Sequence, residues 1–292
     1  RDVFSHNFVV SNLYKQVLDE PLLFENWNDE SGTHICLRRG TGASFVDLNF
    51  DGFLDMHLVE YDPGRLAVDH VNKTYLSDGL GGFVDVTDMT GLTLPDNPMG
   101  QAWADFDQDL FQTNSHEVPT RLYRNDGIDL GTGVPTFTDV AQQAGVAVIG
   151  EPDRGIGASW GDYNNDRRLD LLFSREGDSR LWRNDGPDVN GVWRFTDVSN
   201  QGGFETVLGL GFWGGGFADL DNDGWLDIVL ANRMNGENRV LLNNGDETFR
   251  EVTQELGMLL ADLPSMGFVA GDRDNDGDLE VVIVSHTPVA SE

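Results

Sequence analysis

The sequence predicts an all-β fold: a β-propeller of four-stranded blades, five in number, occupying residues 1–292 as one domain. Three observations predict it. An acidic stretch recurs five times at intervals of 53 to 58 residues, a glycine precedes each copy at a fixed distance, and short β-branched or aromatic runs fill the intervals. A period of that size built from strand-length runs is the arithmetic of propeller blades.

The acidic stretch reads "DLNFDGFLD" from Asp47, "DFDQD" from Asp105, "DYNNDRRLD" from Asp162, "DLDNDGWLD" from Asp219 and "DRDNDGDLE" from Asp272. Five residues before each first Asp stands Gly42, Gly100, Gly157, Gly214 or Gly267. Between the acidic stretches, "FVDV" at Phe83, "FTDV" at Phe137 and Phe195, and "FREV" at Phe249 share one pattern, with "FENW" at Phe24 as a weaker copy. Eight residues after each of these phenylalanines comes another glycine: Gly32, Gly91, Gly145, Gly203 or Gly257.

Each unit then reads as four strands. The first runs from the glycine into the acidic loop, and the second is the apolar run leaving it, such as "IVLAN" or "VVIVS". The third is "LYRN" or a variant, and the fourth is "FTDV". All are bounded by Asn, Asp and Gly, as strands and turns are. The chain opens on a third and a fourth strand ("NLYKQ", "LFENW") and stops after a second. The N-terminal strands are therefore expected to close the last blade, leaving no open edge. The alternative is part of a seven-bladed propeller.

The acidic loops carry the candidate chemistry. In D-x-[DN]-x-[DN]-G-x-x-[DE], side chains one, three, five and nine can point at one centre, and glycine at six permits a left-handed turn. Position seven offers its carbonyl. An all-oxygen shell of this kind suits calcium, with a closing acid at nine rather than at the twelfth position of an EF-hand. The loops supply Asp47, Asn49, Asp51, Phe53 and Asp55; Asp162, Asn164, Asp166, Arg168 and Asp170; Asp219, Asp221, Asp223, Trp225 and Asp227; and Asp272, Asp274, Asp276, Asp278 and Glu280. That makes about four calcium sites. The third loop has Arg167 at the glycine position and is expected to bind more weakly. The second offers only Asp105, Asp107 and Asp109, and four residues of the G-x-x-D type are missing between Asp109 and Leu110. Either it is a short, metal-poor loop, which leaves a fifth site open, or residues are absent there.

Hydrophobic residues make up 39% of the chain, enough for a core despite a formal charge of −31. That charge argues against nucleic acid and anionic membrane surfaces as partners. No apolar run approaches a membrane span. Cys36 is the single cysteine, so no intrachain disulfide forms. The start at Arg1 reads as a mature product or a fragment.

The repeated unit, for example "LYRNDG…FTDVAQQAGV…GIGASWGDYNNDRRLDLLFS", resembles the FG-GAP/VCBS repeat family, the calcium-loop propellers of integrin α-subunit heads. It looks most like the ASPIC/UnbV-type proteins related to cartilage acidic protein. The resemblance implies an extracellular, periplasmic or cell-surface setting and a non-enzymatic, protein-interaction or adhesion role, as a subunit of a larger assembly or alone. It also implies ligand contacts on the connections opposite the acidic loops. A lectin is the alternative, with Trp193 and Trp213 as sugar-stacking candidates. An enzyme is less favoured: His116 and His286 share only a loose "SH" context, and no nucleophile elbow, zinc spacing or phosphate loop is present.

Overall fold

The computed structural model describes residues 14–16, 24–26, 40–60, 72–93, 98–104, 109–114, 118–148, 155–189, 191–233, 236–258 and 264–285. Strands β1 (Tyr14–Gln16) and β2 (Phe24–Asn26) form an antiparallel pair. The first four-stranded sheet holds β3 (Gly40–Val46), β4 (Asp55–Glu60), β5 (Lys73–Ser77) and β6 (Phe83–Asp85). The second holds β7 (Pro98–Trp103), β8 (Leu110–Asn114), β9 (Arg121–Ile128) and β10 (Pro135–Asp139). The third holds β11 (Gly155–Gly161), β12 (Asp170–Arg175), β13 (Arg180–Pro187) and β14 (Trp193–Asp197). The fourth holds β15 (Phe212–Ala218), β16 (Asp227–Asn232), β17 (Arg239–Asn243) and β18 (Phe249–Glu251). Finally β19 (Ser265–Gly271) pairs with β20 (Glu280–Ser285). In every sheet the strands lie side by side in chain order, as in propeller blades.

The strand pairing among the described residues does not carry the expected closure: β1–β2 and β19–β20 are separate two-stranded sheets. The N-terminal pair nevertheless has the register of a third and fourth strand. Gln16 is paired with Phe24 as Ser77 is with Phe83 and Asn243 with Phe249. The chain divides into two compact units, Arg1–Met99 with Asp105–Asp109 and Tyr123–Asp139, and Gly100–Ala104 with Leu110–Leu122 and Val140–Glu292.

Within the second unit, β12 and β16 are buried at every residue, which is why "DLLFSR" and "DIVLAN" read as apolar runs and not as alternations. Between the third and fourth sheets, Tyr163, Leu172, Phe204, Phe212, Leu230 and Phe249 share one core. On the other side of the third sheet, Phe173 stacks on Trp182 at 5.9 Å, and Phe111 meets Trp182 edge-on at 6.0 Å.

Both periodic glycines mark places where backbone meets backbone. A Cβ on Gly100 would lie 2.2 Å from the Ile156 carbonyl oxygen, and one on Gly214 would lie 2.6 Å from the Gly267 Cα and 2.7 Å from the Met266 oxygen. First strands of successive sheets thus approach backbone to backbone at these glycines. The second glycine does the same after the fourth strand: a Cβ on Gly91 would lie 2.7 Å from the Phe137 oxygen, and one on Gly203 would lie 2.1 Å from the Phe249 oxygen. There the Phe137 amide donates to the Thr90 oxygen at 2.8 Å, and the Phe249 amide donates to the Gly202 oxygen. Gly91, Gly145 and Gly203 also hold φ of 82°, 88° and 92°.

Gly214→Ala is accordingly expected to destabilise the chain by about 2–3 kcal/mol, because the clash is with backbone that cannot rotate away. Gly267→Ala, whose Cβ meets no described residue within 4 Å, should be neutral or slightly stabilising. Urea unfolding of the two variants checks this; equal effects would sink the close-approach explanation.

Candidate metal centre

Each acidic loop is folded by its own carboxylates. The first Asp accepts two backbone amides, from positions five and six. For Asp219 these are Asp223 at 3.1 Å and Gly224 at 3.0 Å, and Asp47, Asp162 and Asp272 repeat the pattern. Asp51, Asp166, Asp223 and Asp276 in turn accept the amides of Phe53, Arg168, Trp225 and Asp278 at 2.8–3.0 Å. Position four is left-handed in every described loop, at Phe50, Asn165, Asn222 and Asn275, and so is position six, at Gly52, Arg167, Gly224 and Gly277. Arg167 adopts the glycine conformation, with φ 68°, where an L side chain costs about 1–2 kcal/mol.

The closing acid ties the loop to the sheet. One oxygen of Asp227 accepts the Leu220 amide at 2.8 Å, and the other accepts Asn243 of β17, also at 2.8 Å. Asp170 does the same with Tyr163 and Asn184, and Asp55 with Leu48 and Ser77. Glu280 accepts the Arg273 amide at 2.8 Å. Asp55, Asp170 and Asp227 are wholly buried. Burial pushes Asp170 up to about 7 and Asp227 up to about 6, against the pull of the two amides and with the push of neighbouring loop carboxylates. Asp55 is raised for the same reasons.

Asp109 is corrected by this pattern. The sequence alignment gave it position five, with the gap after it. In the structure its Oδ1 accepts the Asn125 amide at 2.8 Å, the bond that Asp55, Asp170 and Asp227 make at position nine. It stands immediately before β8. The four missing residues therefore fall before Asp109, between it and Asp105. Asp105 and Asp107 lie outside the described residues, as do His116 and His286.

The loops differ in how far their carboxylates converge. Oxygens of Asp219, Asp221 and Asp227 all lie within 4.8 Å of one another, as do those of Asp272, Asp274 and Asp276. In the first and third loops an amide replaces the second carboxylate. Asn49 donates to Asp51 at 2.9 Å, and Asn164 donates to Asp166 at 3.0 Å. The third loop also holds a cation of its own, because the Arg168 guanidinium pairs with Asp166. Successive loops are linked: Asn165 donates to the Gly224 oxygen at 3.0 Å, and Asn222 to Asp278 at 2.9 Å.

Reading the sequence missed the asparagine that ends the third strand. Asn243 donates from Nδ2 to the Leu226 oxygen of its own loop at 3.0 Å and to the Tyr163 oxygen of the preceding loop at 2.7 Å, and it accepts the Gly245 amide at 3.0 Å. Asn184 donates to Leu169, and Asn125 donates to Leu48 of the preceding loop. The signal was present as the shared Asn of "LYRND", "LWRND" and "VLLNN". The two tryptophans proposed for sugar stacking are engaged elsewhere. Trp193 packs on the core beside Trp182, while Trp213 lies under the Arg233 guanidinium, 3.4 Å from its ring centre, and donates to Glu176 at 3.0 Å.

Residues 162–230 and 219–283 match the FG-GAP-like repeat family, so the repeats that the sequence resembled are present over that part of the chain. Cartilage acidic protein 1 of Xenopus tropicalis is 31% identical over 52% of this chain and 22% of its own length. The Homo sapiens protein of that name is 24% identical over 91% of this chain and 42% of its own. The chain thus spans less than half the length of these relatives. Among solved structures, an Agrocybe aegerita lectin that recognises non-reducing terminal N-acetylglucosamine superposes with a TM-score of 0.50 and 17% identity, covering 89% of this chain and 65% of the lectin. The chain therefore has a propeller-type β fold bearing FG-GAP-like repeats.

Two substitutions test the loop architecture. Asn243→Ala strands two carbonyls and an amide and should cost about 2–4 kcal/mol in urea unfolding. Arg167→Gly relieves the left-handed side chain and should gain about 0.5–1 kcal/mol, with a loss of stability contradicting the strain.

Proposed function

We propose that the chain is a calcium-stabilised, non-enzymatic interaction propeller, exposed to extracellular, periplasmic or cell-surface calcium and presenting its connecting loops to a protein or glycan partner. The observation that carries it is the convergence of Asp219, Asp221 and Asp227 on one point in a loop whose backbone amides already fix the orientation of Asp219 and Asp227. Such oxygens repel one another at short range unless a hard cation sits among them. Asp223 and the Trp225 carbonyl would add to that shell. Asp272, Asp274, Asp276 and Glu280, with the Asp278 carbonyl, would form a second. Asp47, Asn49, Asp51, Asp55 and the Phe53 carbonyl would hold a third, with one carboxylate fewer. The third loop, with Asp162, Asn164, Asp166 and Asp170, would be weakest, since Arg168 already neutralises Asp166. The ion's contribution is charge neutralisation and cross-linking of first and second strands; no reaction is proposed. No helix among the described residues is long and apolar enough to cross a membrane. Relatives named for cartilage agree with an extracellular setting.

Calcium bound only by the folded chain raises its melting temperature by mass action. The pH dependence has a definite sign. Asp170 and Asp227 have folded pKa values near 7 and 6 against an ordinary 3.8, so without metal they stabilise the fold in their protonated form, and that contribution is lost as pH rises through 6 to 7. Calcium removes the resulting penalty at pH 8. The melting temperature in calcium minus that in chelator should thus be largest at pH 8 and shrink toward pH 5. A difference near zero at pH 8 would refute the calcium reading.

A further inference from the structure

One cavity lies apart from the acidic shells, between the third and fourth sheets. It has a volume of about 230 Å³. Its inner wall is apolar: Leu181, Val198 and the rings of Tyr163 and Phe249, whose centroids are 5.6 Å apart. Its mouth is polar, with Gln201 and Glu247.

Two residues of this lining stand out. Tyr163 occupies position two of its loop, where the first and fourth loops carry Leu48 and Leu220. It is 1% exposed, yet its hydroxyl makes no hydrogen bond to a described residue; only its backbone amide and carbonyl do. The hydroxyl is not among the enclosed polar atoms that lack a partner, so it opens on the cavity, a polar group that leucine would not present there. Glu247 is the second. It holds a left-handed backbone, φ 64°, in the hairpin turn where the first sheet has Gly81. Its carboxylate reaches Arg183 at 3.1 Å and remains half exposed at the mouth. A strained residue kept beside a cavity points to a role there.

We propose that this cavity binds a single neutral pyranose sugar, its C–H face against the apolar wall, one hydroxyl or acetamido group bonded to the Tyr163 hydroxyl, and others to Gln201 and Glu247. The size sets the limit: drug-sized ligands occupy about 300–1,000 Å³, so there is room for one ring and no more. The charge sets the class, since a carboxylate at the mouth of a chain with a net charge of −31 disfavours anions. An apolar floor with few convergent polar groups disfavours a fully hydrated ion. The proposal gives a ligand class to the glycan half of the interaction reading, and it does not need the calcium sites.

Saturation-transfer NMR with glucose, galactose, mannose and their N-acetylhexosamines, with glucuronic acid as the anionic control, tests it. Run in calcium and again in chelator, the experiment separates loss of the acidic shells from absence of a sugar site. At least one neutral sugar should give transfer and glucuronic acid none. Tyr163→Phe, which removes only the hydroxyl, should weaken that sugar about 2- to 10-fold, the worth of one neutral hydrogen bond, while its melting temperature holds or rises. Gln201→Trp, which fills the mouth, should abolish transfer. Silence from every neutral sugar with the wild-type chain, or equal affinity in Tyr163→Phe, would overturn the proposal.

Discussion

The buried closing carboxylate is the joint on which each blade turns. Asp227 takes one amide from the start of its own loop and one from β17, so a single side chain holds loop, second strand and third strand together. It does this with no water around it, and the same burial makes its charge costly. The neighbouring loop acids raise that cost further. The loop thus has a geometry that depends on the carboxylate and an electrostatic cost that grows when it ionises. A cation among the loop oxygens, as proposed, would resolve both at once, because it would lower the charge without releasing the amides.

The other constraint is steric, and it acts between blades. First strands meet at Gly100, Gly157 and Gly214, and outer segments meet the next sheet at Gly91, Gly145 and Gly203. Side-chain hydroxyls reinforce the inner contacts: Thr113 donates to the Ile156 oxygen at 3.3 Å and Ser174 to the Trp213 oxygen at 3.2 Å. Asparagines add a further link, with Asn243 and Asn125 each reaching the acidic loop of the preceding sheet. The third and fourth sheets share one core, and the cavity beside Tyr163 is a gap in that packing.

Much of this was legible in the sequence because repetition filters chance. Four acidic loops in one register, a shortened fifth and two glycine series point to the four-strand unit and its order. The glycines' purpose was not legible, since a missing Cβ says nothing about which backbone approaches it. Asp109 was misplaced because a deletion inside D-x-D-x-D can be drawn on either side of the last Asp. Only the hydrogen bond from Asn125 decides it. Arg167 stands where the pattern has glycine, yet the backbone takes the left-handed conformation regardless and bears the strain. Trp193 and Trp213 were plausible as exposed platforms until the core around Trp182 and the Arg233 guanidinium were seen to occupy them.

If these carboxylates form a cation's shell, calorimetric titration of the metal-stripped chain with calcium gives saturable binding, with the Asp219 and Asp272 loops filling first and one equivalent lost from each of Asp219→Ala and Asp272→Ala. Uptake in the third loop, where Arg168 already sits on Asp166, is expected to be weaker. Absence of saturable calcium binding at about 1 mM, the range of extracellular calcium modules, or binding unchanged by both substitutions, would contradict the cation shell.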